Sequence, residues 1–292
     1  MSHGPQRQGG YLLVAAVALI VLVAAMSVAL SGWLAGNVGA SVNNLGSMQA
    51  LYQAESGIEY GQRNLAVNLD WYRSFVDPIS LPAQVLGAGS FTVSTSLPAT
   101  LVRTRVTAGA NAIRVYTVER FPDSGYLLIE ENLSLGGNAE FVQYTGRDTA
   151  NNVFTGVTRD RTIGGIKGQD GAVPHERGSR VYPVTQLRTA LAANCTALAS
   201  INVDAHSKFL GGGTIDIEGE ELRYTSSRTA GTTLTLSGVE RCQNGTVAAA
   251  HAIGAPVTPL LVDGSDADYE AEVVATGTLG NDLRISRRTV QR

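Results

Sequence analysis

Tyr11 to Leu30 reads YLLVAAVALIVLVAAMSVAL, about 20 positions without a charge, set directly behind the leader MSHGPQRQGG. At about 1.5 Å rise per residue the segment is roughly 30 Å long as a helix, the hydrocarbon thickness of a bilayer. The reading is a membrane helix over residues 11–30. A secretory signal peptide has a shorter apolar core, followed by a small-residue cleavage site and a polar mature start. Here the run passes without a break into SGWLAGNVGASVNNLGSMQALYQAESGIEYGQRNLA, which keeps helical spacing, so the segment is expected to be retained.

Between Tyr11 and Asp70 the only charged residues are Glu55, Glu59 and Arg63. Apolar and small residues recur through Leu34, Val38, Val42, Leu45, Met48, Leu51, Ala54, Ile58 and Leu65 at the period of a helix. One stripe therefore stays apolar well beyond the bilayer and needs a partner. Gly32, Gly36, Gly39 and Gly46 each cost about 0.8–1 kcal/mol against Ala inside a helix, so this stretch is expected to be weakly helical. The Gly32-x-x-x-Gly36 spacing also matches a close helix-contact motif.

These features together resemble a type IV prepilin: a short leader with a basic residue, Gly10 before an aromatic Tyr11, an apolar helix and a long amphipathic continuation. The resemblance implies cleavage by prepilin peptidase between Gly10 and Tyr11 and N-methylation of Tyr11. Within the family, ALYQAESGIEYG, from Ala50 to Gly61, is similar to the AAESGIEWG-type stretch of minor pilins of the PilX and MSHA-biogenesis (MshP) type. The fifth mature residue, a glutamate in major pilins, is Ala15 here, which suits a minor subunit at a tip or in a priming complex. The assembly helix is expected to work through Leu51, Ala54, Glu55, Ile58 and Glu59. A plain signal anchor on an unrelated ectodomain is the simpler alternative.

The rest of the chain reads as a strand-rich exported head. It has 33 Gly, 16% charged residues and a net charge of −3, which leaves no basic field for nucleic acid. Cys195 and Cys242 fit no CxxC or zinc pattern and lie on the side expected to be periplasmic, so a structural disulfide is the default. Its closed loop of about 47 residues contributes on the order of 3–4 kcal/mol in the chain-entropy model.

Two internal repeats occupy the middle. FPDSGYLLIE from Phe121 aligns with FLGGGTIDIE from Phe209 as Phe-x-x-x-Gly-x-x-x-Ile-Glu. Beyond them Glu140-x-x-x-Tyr144-Thr145 matches Glu220-x-x-x-Tyr224-Thr225. Gly156-Val157-x-Arg159 matches Gly238-Val239-x-Arg241, and His175-x-x-Gly178-x-x-Val181 matches His251-x-x-Gly254-x-x-Val257. Alternating runs such as TLTLSGV, bounded by Gly and Asn, predict hairpins, so each repeat is a small β module. The units resemble modules of phage and surface structural proteins. Their repeated Glu, Arg and His are expected to be internal hydrogen-bond and ion-pair devices; one His and one Glu per repeat are too few for a metal site.

Neither HExxH, a G-x-S-x-G elbow, a phosphate loop nor a dinucleotide fingerprint is present, so no enzyme activity is expected. DGSDADYE offers Asp263, Asp266, Asp268 and Glu270 as oxygen ligands for calcium, without EF-hand spacing; a solvated turn is the competing reading and no other cofactor is implied. The C-terminal YEAEVVATGTLGNDLRISRRTVQR reads as a hairpin, and its T-G-T-x-G-x-x-x-R pattern resembles the last strands of these minor pilins. With GSFTVSTS and LVRTRVTA it would supply the sheet.

The expected fold is α+β: a long N-terminal helix, transmembrane in its first half, packed on a small antiparallel sheet with two inserted all-β modules. The expected division is leader 1–10, helix 11–68, sheet 69–110 with 260–292, first repeat 111–184, then linker and second repeat 185–259. The expected function is a minor pilin, a single-pass inner-membrane protein with a periplasmic head that later joins a pilus. Its expected partners are other pilins, prepilin peptidase, the inner-membrane assembly machinery and membrane lipid. A type II secretion pseudopilin and a membrane-anchored adhesin or carbohydrate-binding module are the alternatives.

Overall fold

The computed structural model describes residues 9–67, 79–130, 139–167, 171–260 and 270–291. The chain is α+β, with one long N-terminal helix and several small antiparallel sheets. Helix α1 (Gly9–Val67) runs 59 residues without interruption. It continues through Gly32, Gly36, Gly39 and Gly46. Gly32, Gly36 and Gly39 have no other atom near the position of a Cβ, so they leave a smooth surface rather than a packed contact.

The last third of α1 lies on a four-stranded antiparallel sheet made of β1 (Ile79–Leu86), β2 (Gly89–Ser96), β18 (Glu270–Leu279) and β19 (Asp282–Gln291), in the order β1-β2-β18-β19. The other strands, from Thr100 to Pro259, lie in the chain between β2 and β18. Ala50, Ala54, Ile58 and Leu65 are buried at helical spacing and face Phe91, Val93, Ala271, Val273 and Ala275. Burying a side chain of the size of Ile58 or Phe91 contributes about 1.5–3 kcal/mol.

Small residues set how closely the helix approaches. A Cβ on Gly57 would lie 2.7 Å from that of Ala275, and one on Gly61 would lie 2.6 Å from a methyl of Val273. From the sheet side, a Cβ on Gly277 would overlap the carbonyl of Ala50 and the amide of Ala54. The flank is polar: Ser286 donates to Glu55 at 2.6 Å, and Arg288 contacts Glu59 at 3.1 Å and Glu55 at 3.7 Å.

The insertion holds two modules of matching topology. The first comprises β3 (Thr100–Leu101), β4 (Ala112–Arg114), β5 (Gly125–Glu130), β6 (Ala139–Tyr144), β7 (Gly146–Asp148), β8 (Val153–Thr155), β9 (Thr162–Ile163), β10 (Ile166–Lys167) and β11 (Arg180–Gln186). The second comprises β12 (Leu198–Asp204), β13 (Gly213–Ile217), β14 (Glu220–Tyr224), β15 (Ser226–Ala230), β16 (Thr233–Val239) and β17 (Pro256–Pro259). The three-stranded sheets β4-β8-β7 and β12-β16-β15 are equivalent. β9 and β10 form a separate two-stranded sheet, and the other strands form one sheet in the order β14-β13-β17-β11-β5-β6, with β3 paired to β11, whose two halves correspond across the β17–β11 pair. Thr185 opposite Val257 and Gln186 opposite Pro256 are the register of that junction. The modules are thus related by a local pseudo-twofold axis and joined by backbone hydrogen bonds.

Two expected boundaries move. LVRTRVTA from Leu101 does not join the helix-bearing sheet: Thr100 and Leu101 pair with Val181 and Arg180 of β11. No linker opens the second repeat either, because Leu187 directly follows β11 and already donates to Ala255 at 2.9 Å. That bond repeats Val102 donating to Ser179, also at 2.9 Å, and Val106 exchanges bonds with His175 as Leu191 does with His251. The repeat therefore begins near residue 100 and near residue 187.

Each module has its own core. Phe121 meets Phe154 edge-on at 5.0 Å in the first; Phe209, Ile215, Leu222 and Leu236 fill the second. Gly156 and Gly238 occupy equivalent turns at φ 60° and 62°, where L side chains are strained, and a Cβ there would strike Thr145 or Thr225. Cys195 and Cys242 form the expected disulfide across 47 residues, bracing the second module.

Candidate functional site

The helix changes partner along its length. From Leu13 to Met48 its large apolar side chains are exposed, including Leu30, Leu34, Val38, Val42 and Leu45. The head first touches the helix at Gly46 and Ser47, and Ala50 is the first buried residue. The helix is long and apolar enough to cross a membrane, with a mean hydropathy of 2.9 in its most apolar window. Crossing a bilayer takes about 20 residues. Val38, Val42, Leu45 and Met48 lie beyond that length, at a spacing that puts them on one side of the helix. They are exposed and uncovered.

The expected assembly residues are divided by this change. Ile58 and Ala54 are fully buried in the head's own core, whereas Leu51 is 43% exposed. Leu51 and Ile58 therefore do not share an open face, and Ile58 is a folding residue. Glu55 and Glu59 tie the helix to β19 through Ser286 and Arg288. Gly10 and Tyr11 fall within α1, but their side chains are outside the described residues, as is that of Glu270. Asp263, Asp266 and Asp268 lie wholly outside the described residues. Among the described residues no group of three or more His, Cys, Asp or Glu could hold a metal.

The repeated Glu, Arg and His form one buried cluster in each module. In the second, Arg241 clasps Glu220 with Nε at 2.8 Å and Nη2 at 2.5 Å, and also donates to the carbonyls of Ala192 and Ala249. The Ala249 N–H and His251 Nε2 complete the shell around Glu220 at 3.1 and 2.8 Å. In the first, Arg159 clasps Glu140, donates to the carbonyls of Thr107 and Val173, and His175 Nε2 lies 3.0 Å from the carboxylate. These carboxylates are saturated by protein donors, and the clusters knot the ends of each repeat together. One partner was invisible in the sequence: Glu218 reaches His251 Nδ1 at 2.7 Å, while His175 Nδ1 is buried without a partner among the described residues.

Burial pushes the Glu220 carboxyl up, but the hydrogen bonds from Arg241, His251 and Ala249 and the charge of Arg241 outweigh it and hold its pKa at about 2. Its ordinary value is 4.5, so its stabilisation is complete above about pH 4.5 and is lost as the pH falls toward 2. Glu140 is shifted in the same direction: burial raises it, and His175, Arg159 and the Asp160 N–H lower it further. Thermal unfolding against pH should show the head losing stability as the pH falls through that window. Glu220→Gln should lower the melting temperature at neutral pH and flatten the acid slope. An unchanged slope in that variant would refute the assignment.

No family model matches the chain, and neither a curated protein nor a solved structure shows significant similarity to it.

Proposed function

We propose that the protein is a minor pilin, a non-catalytic assembly subunit of a type IV pilus. The observation that carries this reading is the apolar surface of α1 between Leu34 and Met48, which the head leaves uncovered and which lies beyond the length a bilayer needs. A bare tether has no use for it. A subunit that packs its helix against neighbouring helices in a filament buries that stripe, and association of this kind is driven by the apolar area removed from water. Ala15 supports a minor rather than a major role, since it offers no carboxylate to the amino terminus of a neighbour.

In this reading prepilin peptidase cuts after Gly10, Tyr11 becomes the methylated first residue, and the helix waits in the inner membrane with the head in the periplasm. The assembly machinery then moves it from lipid into a bundle of pilin helices. A type II secretion pseudopilin would use the same helix in a periplasmic filament. Gly10→Glu tests the reading: it should leave an uncleaved precursor in the membrane, detectable by N-terminal sequencing and by a slower band on a gel. A variant processed like the wild type, or a native protein that begins at Met1, would overturn it.

A further inference from the structure

The two buried clusters share one plan but differ in how many carboxylates reach the histidine. His251 lies between two, with Glu220 at 2.8 Å from Nε2 and Glu218 at 2.7 Å from Nδ1. His175 has Glu140 at 3.0 Å from Nε2, while its Nδ1 is buried and meets no partner among the described residues. These contacts lie where the first repeat is tied shut: Val106 exchanges backbone bonds with His175, Gly178 donates to Val102, and Arg159 reaches the carbonyls of Thr107 and Val173.

The missing carboxylate is present in the sequence. Glu130 ends the first Phe-x-x-x-Gly-x-x-x-Ile-Glu stretch as Glu218 ends the second. Glu218 sits in the tight turn between β13 and β14 at φ 56°, two residues before Glu220. The connection between β5 and β6 is longer, and Glu130 stays in β5, opposite Ala139 on one side and Arg180 on the other. Ile129 opposes Glu140, so those two share a face of the sheet, and Glu130, the next residue, is on the other face. The remaining charged groups on the segments around His175 are Arg103, Arg105, Asp160, Arg161, Glu176 and Arg177. Asp160 is paired with Lys167 at 3.0 Å and Glu176 with Arg105 at 2.7 Å, and the others are cations.

The charge balance of the clusters differs accordingly. Ionised carboxylates only accept, so His251 between Glu218 and Glu220 has an acceptor for a proton on each nitrogen, and Arg241 and His251 together match the two acids. In the first module Arg159 alone balances Glu140, and His175 donates from Nε2. A second proton on His175 would leave an excess positive charge in the cluster and an N–H buried without an acceptor, and both are costly. An opened segment takes up the same proton in water without that cost. The open form then binds more protons than the closed one, so closure weakens as the pH falls. Imidazole is the side chain suited to such a change between about pH 5 and 8.

We propose that the first module contains a pH-sensitive latch: a second proton on His175 releases the Glu140 cluster, and with it the contact between residues 102–107 and 173–179, while the His251 cluster stays closed. The inference is independent of the filament reading, because it concerns the head alone. Glu140 and Glu220 are held below the ordinary carboxylate value by their hydrogen bonds and arginines, so they remain ionised through mild acid. Two other acids do titrate there: burial pushes Glu130 up to about 7 and Asp216 up to about 6. Acid neutralises these buried carboxylates, one in each module, which stabilises the closed form of both and opposes the latch equally.

The test is amide hydrogen exchange of the full-length protein in detergent micelles at about pH 7 and about pH 5, read by peptide mass spectrometry and corrected for intrinsic rates. Residues 102–107 and 173–179 should lose protection by about 10-fold or more at the lower pH, whereas the equivalent residues 187–192 and 249–255 should keep theirs. His175→Gln, whose amide can still donate to Glu140, should remove most of that response. If this variant does not fold, Glu218→Asn decides: Asn tolerates the positive φ but is one carbon shorter, so His251 loses its second acceptor and residues 249–255 should become pH-sensitive. Equal loss of protection in both modules, no loss in the first, a response that survives His175→Gln, or a second module indifferent to Glu218→Asn would each overturn the proposal.

Discussion

Gly277→Val is expected to loosen α1 from its sheet and strongly destabilise the helix-bearing core. Gly277 sits in β18 between Phe91 and Arg284, and the helix backbone crosses directly over it. Besides the overlap with Ala50 and Ala54, a Cβ would lie 2.7 Å from that of Gln53. Neither a helix backbone nor a paired strand can shift alone, so relief requires the whole interface to open. Overpacking a tight contact costs typically 1–3 kcal/mol, and a clash with backbone on both sides belongs at or above the top of that range. The helix-bearing core, including Ile58 and Val273, should become protease-sensitive and the melting transition should drop by 10 °C or more, on the order expected for such a loss. Gly280, at φ 58° with nothing near a Cβ, provides the control: Gly280→Asn should stay close to wild type. A Gly277→Val protein with a normal melting curve would mean that the helix does not lie on β18 as described.

The second large effect separates assembly from folding. Val38→Lys and Val42→Lys place charges on exposed, uncovered positions of α1, 58% and 61% exposed, where the isolated subunit tolerates them. The protein should insert and melt normally. In a bundle of helices the same lysines become buried ions without partners, which costs several kcal/mol and corresponds to a loss of incorporation of about 100-fold or more. Ile58→Lys should behave differently, destroying the head before any assembly step, since Ile58 is fully buried against the sheet. Full incorporation of a folded Val38→Lys, Val42→Lys protein would favour a simple tether carrying a binding head.

The fold was legible where the signal is periodic or repeated. The uncharged run from Tyr11, the paired Phe-x-x-x-Gly-x-x-x-Ile-Glu stretches and the lone cysteine pair each report a physical constraint that survives in one dimension. The helix stripe was harder, because one apolar row serves two partners and only the sheet's position decides where one gives way to the other. Gly57 and Gly61, four residues apart, carried the missing signal: small residues on one face mark where another backbone comes close. LVRTRVTA alternates as a strand should, but alternation says nothing about which strand it joins, and its two paired residues go to β11. The first third of each repeat was hidden for a related reason. Val102 and Leu187 are equivalent through backbone bonds to Ser179 and Ala255, which constrain no side chain beyond being apolar.

Mass spectrometry of surface filaments sheared from cells and purified away from membranes tests the assembly reading most directly. The expected result is head peptides from this chain at a small fraction of the major subunit, together with an N-terminal peptide that begins at N-methylated Tyr11. Filaments that lack the chain altogether, while it remains in the membrane with its leader attached, would contradict the account.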